Sequence, residues 1–124
     1  MRLFVAAPMP NANAWTNTTA RALSIQQMKE RVVEDQLDGV FFDYEGNGLT
    51  AAQKQAYTAL AQESTHALRP LNASVFVCVG ARPTYELRNY DYKGLAAATE
   101  FLFIMVRPFP LYCGDVMIRI IGLQ

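Results

Sequence analysis

The chain has 124 residues with 11 basic and 11 acidic side chains, and it is 52% hydrophobic. Zero net charge gives no electrostatic footprint for nucleic acid or an acidic membrane surface, and the apolar fraction argues against intrinsic disorder. No uninterrupted apolar run reaches the roughly 18 residues that a membrane-spanning helix needs.

Leu3 to Ala7 is a short apolar run stopped by Pro8 and Pro10, which reads as a buried strand. With Arg2 and Ala12-Asn13-Ala14 it faintly resembles a signal peptide, but the prolines interrupt the run and it is short for a signal core. Asn11 to Asn17 is small and polar and reads as a loop. From Thr18 to Gln36, Leu23, Met28, Val32 and Val33 recur near helical spacing, with Thr18 or Thr19 as the expected cap. Gly39-Val40-Phe41-Phe42 is β-branched and aromatic, a central strand with a polar carboxyl end.

Gly46-Asn47-Gly48 is a turn cluster that lacks the ending of a phosphate loop. Thr50 to Leu68 reads as a second helix, opened by a capping box of Thr50 and Gln53 and stopped by Pro70. Its packing face is expected at Ala56, Leu60 and Ala67, and His66 sits near its carboxyl end, where a cation suits the dipole. Ser74 to Val79 is a third strand, Gly94 to Thr99 a short helical segment, and Phe101 to Met105 a fourth strand. Pro108 and Pro110 then break the chain, and 116–121 is an apolar run with no helix before it, either a fifth strand or sequence foreign to the fold. The order is an α/β pattern of about four parallel strands with intervening helices, which cover both faces of a sheet or ring a barrel.

Cys78 and Cys113 are too few for a disulfide scaffold, and a bridge between them cannot be read from spacing. Asn17-Thr18-Thr19 and Asn72-Ala73-Ser74 both fit the glycosylation acceptor pattern, making Asn17 and Asn72 candidates.

The carboxylates around the second strand are the sharpest chemical feature. Asp43 and Glu45 stand two apart, so a strand end turns both to the side of Phe41. The carboxyl ends of parallel strands form the active-site face of α/β folds. Two acids there repel, so one is expected to hold its proton beside an ionised partner, as acetal cleavage requires. The alternatives are solvated loop residues, or a magnesium site with Asp91, for which the spacing gives no support. No metal or cofactor is expected. Asp38 and Gly39, at the start of the strand, read as structural.

The words Leu37-Asp38-Gly39-Val40-Phe41-Phe42-Asp43-Tyr44-Glu45 resemble the strand-four signature of family 18 glycoside hydrolases, D-G-x-D-x-D-x-E. A second match follows in order. Arg88-Asn89-Tyr90-Asp91-Tyr92-Lys93-Gly94-Leu95 and Glu100-Phe101-Leu102-Phe103-Ile104-Met105 resemble the segment before and through strand six of the di-N-acetylchitobiase branch. The resemblance implies that residues 1–105 are part of a (β/α)8 barrel, strands about three to six, and that 106–124 form a tail outside it.

The resemblance also implies roles. Glu45 matches the catalytic acid/base. Asp43 matches the aspartate that orients the substrate's 2-acetamido group, whose carbonyl is the nucleophile and closes to an oxazolinium ion. Met105 matches a methionine at the base of the sugar subsite, and Phe41 is grouped with it as a substrate contact. The implied partner is a β-1,4-linked N-acetylglucosamine oligosaccharide or glycan core, and the implied compartment of the parent protein is lysosomal or secreted.

Three departures stand against full activity. Phe41 occupies a position where the family has Asp, or Asn in the chitobiase branch, and a phenyl ring shares no proton with Asp43. Val106-Arg107-Pro108 replaces a Tyr-Asp pair after Met105. No late tryptophan floors the sugar site, since Trp15 is near the start. The alternatives are therefore a non-catalytic chitooligosaccharide-binding relative, or an inactive truncated fragment of a barrel of about 250 residues. Tyr85, Tyr90 and Tyr92 fit sugar stacking less well than packing.

Overall fold

The structure, a computed structural model, describes residues 1–7, 11–44, 48–80, 90–106 and 116–121. Five strands form one sheet in the order β1-β2-β3-β4-β5: Phe4–Ala6, Gly39–Asp43, Ser74–Gly80, Phe101–Val106 and Val116–Ile121. The first four run parallel. Four α-helices are described: α1 Ala12–Trp15, α2 Thr18–Glu34, α3 Ala51–Leu68 and α4 Tyr92–Ala98. The 116–121 run is a strand, and it pairs antiparallel with β4. Residues 107–115 are too few for the crossover of about a dozen residues that a parallel neighbour requires, so the chain can return only antiparallel.

Strand alternation gives the sheet two distinct faces. Val40, Phe42, Val75, Val77, Val79 and Leu102 point to the helices and, with Met28, Leu60 and Leu95, make the core. The described helices cover this face. The opposite face carries Phe4, Phe41, Phe76, Phe101, Phe103 and Met105, all half-buried. Phe76 is its hub, with ring centroids 5.2 Å from Phe4, 5.3 Å from Phe41, 5.8 Å from Phe101 and 4.6 Å from Phe103.

Helix α2 begins at Thr18, but Asn17 caps it: the Asn17 side chain accepts from the Ala20 amide at 3.1 Å. Its buried face is Arg21, Ser24, Ile25, Met28 and Val32. Leu23 and Val33, expected on that face, are both 61% exposed. Leu23 precedes Ile25 by two residues, about 200° round the helix, so the two cannot share a stripe.

The expected loop at Asn11 to Asn17 contains α1. Asn11 caps it, and its one turn delivers Trp15 into the core at 1% exposure. The capping box on α3 is formed, with Thr50 Oγ1 accepting from Gln53 N at 3.1 Å and Gln53 Oε1 accepting from Thr50 N at 2.9 Å. Its buried face runs through Ala56, Tyr57, Leu60, Ala61, Ser64 and Leu68. A 3-10 turn at Arg69–Leu71, with Pro70 in it, ends the helix, and Asn72 takes a left-handed conformation at φ 55 before β3.

Candidate active site at the strand ends

The sheet register brings the strand ends into rows. Asp43 pairs with Cys78, which pairs with Phe103. One row further along, Gly80 pairs with Met105. Parallel in-register partners share a face, so Asp43, Cys78, Phe103 and Met105 lie on the phenylalanine side, two rows deep at the carboxyl end. Asp43 is exposed there, while Met105 is half-buried and Cys78 buried. Phe41 sits one row below Asp43, paired with Phe76. Glu45 lies outside the described residues, as do Gly46, Asn47, Tyr85 and Cys113.

Asp38 and Gly39 build the other end of β2. Asp38 Oδ2 accepts from Leu3 N at 2.7 Å, and Asp38 N donates to Leu3 O at 2.8 Å. Ser74 N donates to Asp38 O at 2.8 Å. One residue thus pins β1 and β3 to β2, and the neighbouring glycine lets the backbones close up.

Behind the strand ends stands an aromatic cluster that periodicity does not reveal. The Tyr44 ring meets Trp15 edge-on at 5.0 Å, and Trp15 stacks on Tyr57 at 4.9 Å. Tyr57 also contacts Phe42 at 6.2 Å and Tyr90 at 6.5 Å. The usable signal was the spacing of Tyr57 with Leu60, Ala61, Ser64 and Leu68, a single stripe on an alanine-rich helix. Burial pushes the Tyr57 phenol well above its ordinary value, and Tyr90, Cys78, Asp43 and Tyr44 add to the rise.

Two tyrosine hydroxyls, at and just before the start of α4, reach the strand ends. Tyr90 donates to the carbonyl of Tyr44, and Tyr92 donates to the carbonyl of Gly80 at 2.8 Å. Asp91 between them caps α4, accepting from Gly94 N at 3.0 Å. His66 is exposed on α3, away from this end. Among the described residues no three His, Cys, Asp or Glu side chains cluster as metal ligands. A groove of about 610 Å³ runs between α3 and the start of α4, lined by Lys54, Thr58, Tyr90, Asp91 and Tyr92 among others. It belongs to the helical layer, not to the face that carries Asp43.

No protein-family model matches the chain, and no curated protein matches it. Solved structures do. The Group IV chitinase of Ostrinia furnacalis superposes with a TM-score of 0.76 at 16% identity, over 85% of this chain and 31% of that one. A chitinase from Trichuris suis gives 0.70 at 19% identity, over 85% and 32%. A class V chitinase from Pseudomonas fluorescens gives 0.64 at 23% identity, over 74% and 28%. The Ostrinia Group IV enzyme has also been solved with allosamidin, and a Group II catalytic domain of the same insect with (NAG)5. The four parallel strands and their helices therefore share the fold of part of the (β/α)8 barrel of these chitinases, and the chain spans about a third of the length of the chitinases it resembles. The phenylalanine face is the side such a barrel turns inward.

Proposed function

We propose that the chain carries the acid/base element of a glycosidase acting on β-1,4-linked N-acetylglucosamine oligosaccharides, with Glu45 as the proton donor. The observation that carries this reading is the place of Asp43. It is exposed on the inward face at the carboxyl end of β2, two residues before Glu45, in a fold shared with chitinases. Glu45 protonates the glycosidic oxygen. Asp43 orients the 2-acetamido group, whose carbonyl oxygen attacks the anomeric carbon as the leaving sugar departs. Water then opens the oxazolinium ion, delivering its proton to Glu45. Met105, on the same face, meets the sugar, and Phe41 contributes below Asp43. The match to the chitobiase branch favours a glycan-core chitobiose as substrate, in a lysosomal or secreted protein. Asn17 and Asn72 are both exposed, as glycosylation requires.

One observation favours a second reading. The Phe41 ring is stacked on Phe76, so the position below Asp43 holds packed hydrocarbon instead of a group that exchanges protons. That suits a chitooligosaccharide-binding relative without turnover. A fluorogenic chitobioside separates the two. Hydrolysis by the wild type that disappears in Glu45→Gln supports the enzyme. Binding of chitopentaose by calorimetry, without hydrolysis, supports the lectin-like reading. Neither hydrolysis nor binding by a folded, monodisperse protein would sink both.

A further inference from the structure

We propose that Cys78 is a positioning residue for Asp43: its buried thiol donates to the Asp43 carboxylate and holds it on a face where Phe41 offers no hydrogen bond. The inference rests on the reading of Asp43 given above and concerns a residue that touches no substrate.

Three observations carry it. Asp43 and Cys78 are register partners on adjacent parallel strands and stand on the same face. Such strands lie about 4.8 Å apart, and both side chains are short, so thiol and carboxylate meet across the gap. The second observation is what surrounds Asp43. Phe41 lies one row below, stacked on Phe76 at 5.3 Å, and Phe103 continues the row beyond Cys78, its ring 4.6 Å from Phe76. Gly80 and Met105 stand in the row above. Of these described neighbours, Cys78 alone carries a side-chain hydrogen-bond donor. The third observation is burial. Cys78 is a thiol at 7% exposure, whereas Asp43 is exposed. Packing thus fixes the donor, while the acceptor reaches the open end of the face. Beyond burial and Tyr90, Cys78 and Asp43 both raise the Tyr57 phenol, so both lie within electrostatic reach of one hydroxyl at these strand ends. A carboxylate that must meet an acetamido group in one orientation depends on such an anchor, and an ionised acceptor strengthens the bond.

The test uses the full chain carrying Cys113→Ser, which leaves Cys78 as its one cysteine. The Cys78 S–H stretching band, read by Raman spectroscopy, is expected below that of a thiol in hydrocarbon. It is expected to move up in Asp43→Asn, where the acceptor has lost its charge. Asp43 is exposed, so this exchange leaves the core intact. Activity is read on a fluorogenic chitobioside. Cys78→Ala removes the donor and is expected to lower kcat about tenfold with KM within about twofold. Cys78→Ser restores a donor and is expected to recover most of the loss. A band that stays in place in Asp43→Asn overturns the proposal. So does a shifted band with Cys78→Ala as active as the parent, or with Cys78→Ser no better than Cys78→Ala, because the thiol then only packs. If the parent hydrolyses nothing, the glycosidase reading fails by itself. The S–H band, with the Asp43 carboxyl ¹³C shift in Cys78→Ala, still decides whether the thiol holds that carboxylate.

Discussion

Phe41 and Phe76 lie nearly flat on one another, with ring centroids 5.3 Å apart and planes 11° apart. They are register partners on adjacent parallel strands, so the stack follows from the sheet itself. Phe41 also lies on the face of Asp43, one row below it. The stack therefore occupies the ground where a second carboxylate would couple to Asp43.

This arrangement predicts the outcome of placing an acid at position 41. Phe41→Asp loses the stack and part of the half-buried phenylalanine cluster, and is expected to destabilise the fold by about 2–3 kcal/mol. The new carboxyl would share a strand face with Asp43, and repulsion between the two adds to the loss while both are ionised. The deficit is thus expected to be larger at pH 7 than at a pH low enough to protonate one of the pair. Urea denaturation at both pH values measures it. A midpoint equal to that of the wild type would show that the stack contributes nothing.

Tyr57→Phe is expected to stabilise the protein. Among the described residues, the Tyr57 hydroxyl and the Trp15 indole N–H are the buried side-chain donors without an acceptor. Removing an unpartnered hydroxyl relieves its desolvation cost, so a gain of about 0.5–1 kcal/mol is expected in urea. The same group sets an alkaline limit. Its phenol is raised well above the ordinary 10.0 by burial, so the folded state disfavours the anion. The stabilisation is complete below the unfolded pKa and is lost as pH rises from there toward the folded value, by up to about 1.4 kcal/mol per pH unit. Tyr57→Phe flattens that decline above pH 10, and a parallel decline in both proteins would refute the assignment.

Arg21 ties three helices. From α2, its Nη1 donates to Trp15 O at 2.7 Å, and its Nε and Nη2 grip Glu63 on α3 at 3.1 and 2.9 Å. The bond to Glu63 raises the Arg21 pKa, partly offset by desolvation. A raised pKa keeps the protonated stabilisation intact below the unfolded value and loses it only as the pH climbs from there through the folded one, so this guanidinium adds no pH dependence near neutrality. Arg21→Met is expected to cost about 2–3 kcal/mol, because it orphans the Trp15 carbonyl and breaks a bidentate pair. Arg21→Lys recovers only part, having a point charge in place of the fork. Glu63→Gln costs less, about 1 kcal/mol, since that carboxylate is 43% exposed. Thermal melts of the three variants order them, and a lysine variant as stable as wild type would deny the fork its role.

The sequence made some of this legible and hid the rest for physical reasons. Strand runs such as Ser74 to Val79 and the Thr50-Gln53 box announce themselves because both are local, built within a few residues. The place of Asp43 at the carboxyl end of β2 was visible for the same reason. Arg21 and Glu63 stand 42 residues apart, and no local pattern links them. Their contact exists only once α2 and α3 lie side by side. The turn at α1 escaped notice because one helical turn has no period to detect, and its cause is the distant pocket that takes Trp15. The direction of β5 depends on how few residues precede it, not on its own composition, which suits either orientation.

Gly39 and Gly94 test whether a glycine is required by space or only accommodated. A Cβ on Gly39 would lie 2.0 Å from Ser74 O and 2.7 Å from the Phe4 ring. The first is backbone in the adjacent strand, and Ser74 N is also bonded to Asp38 O, so relief requires parting β2 from β3. Gly39→Ala is therefore expected to cost more than about 3 kcal/mol, beyond the usual range for one added methyl. A Cβ on Gly94 would also meet atoms too closely, Asp91 Oδ2 at 2.3 Å and Thr58 Cγ2 at 2.9 Å. Those are side-chain ends that rotate away. The movement gives up the Asp91 cap, about 1 kcal/mol, but alanine recovers a similar amount in helix propensity. Gly94→Ala should thus stay within about 1 kcal/mol of the wild type. Chemical denaturation of both variants decides it: equal losses would mean that the close approach of β2 to β3 is not what holds a glycine beside Asp38.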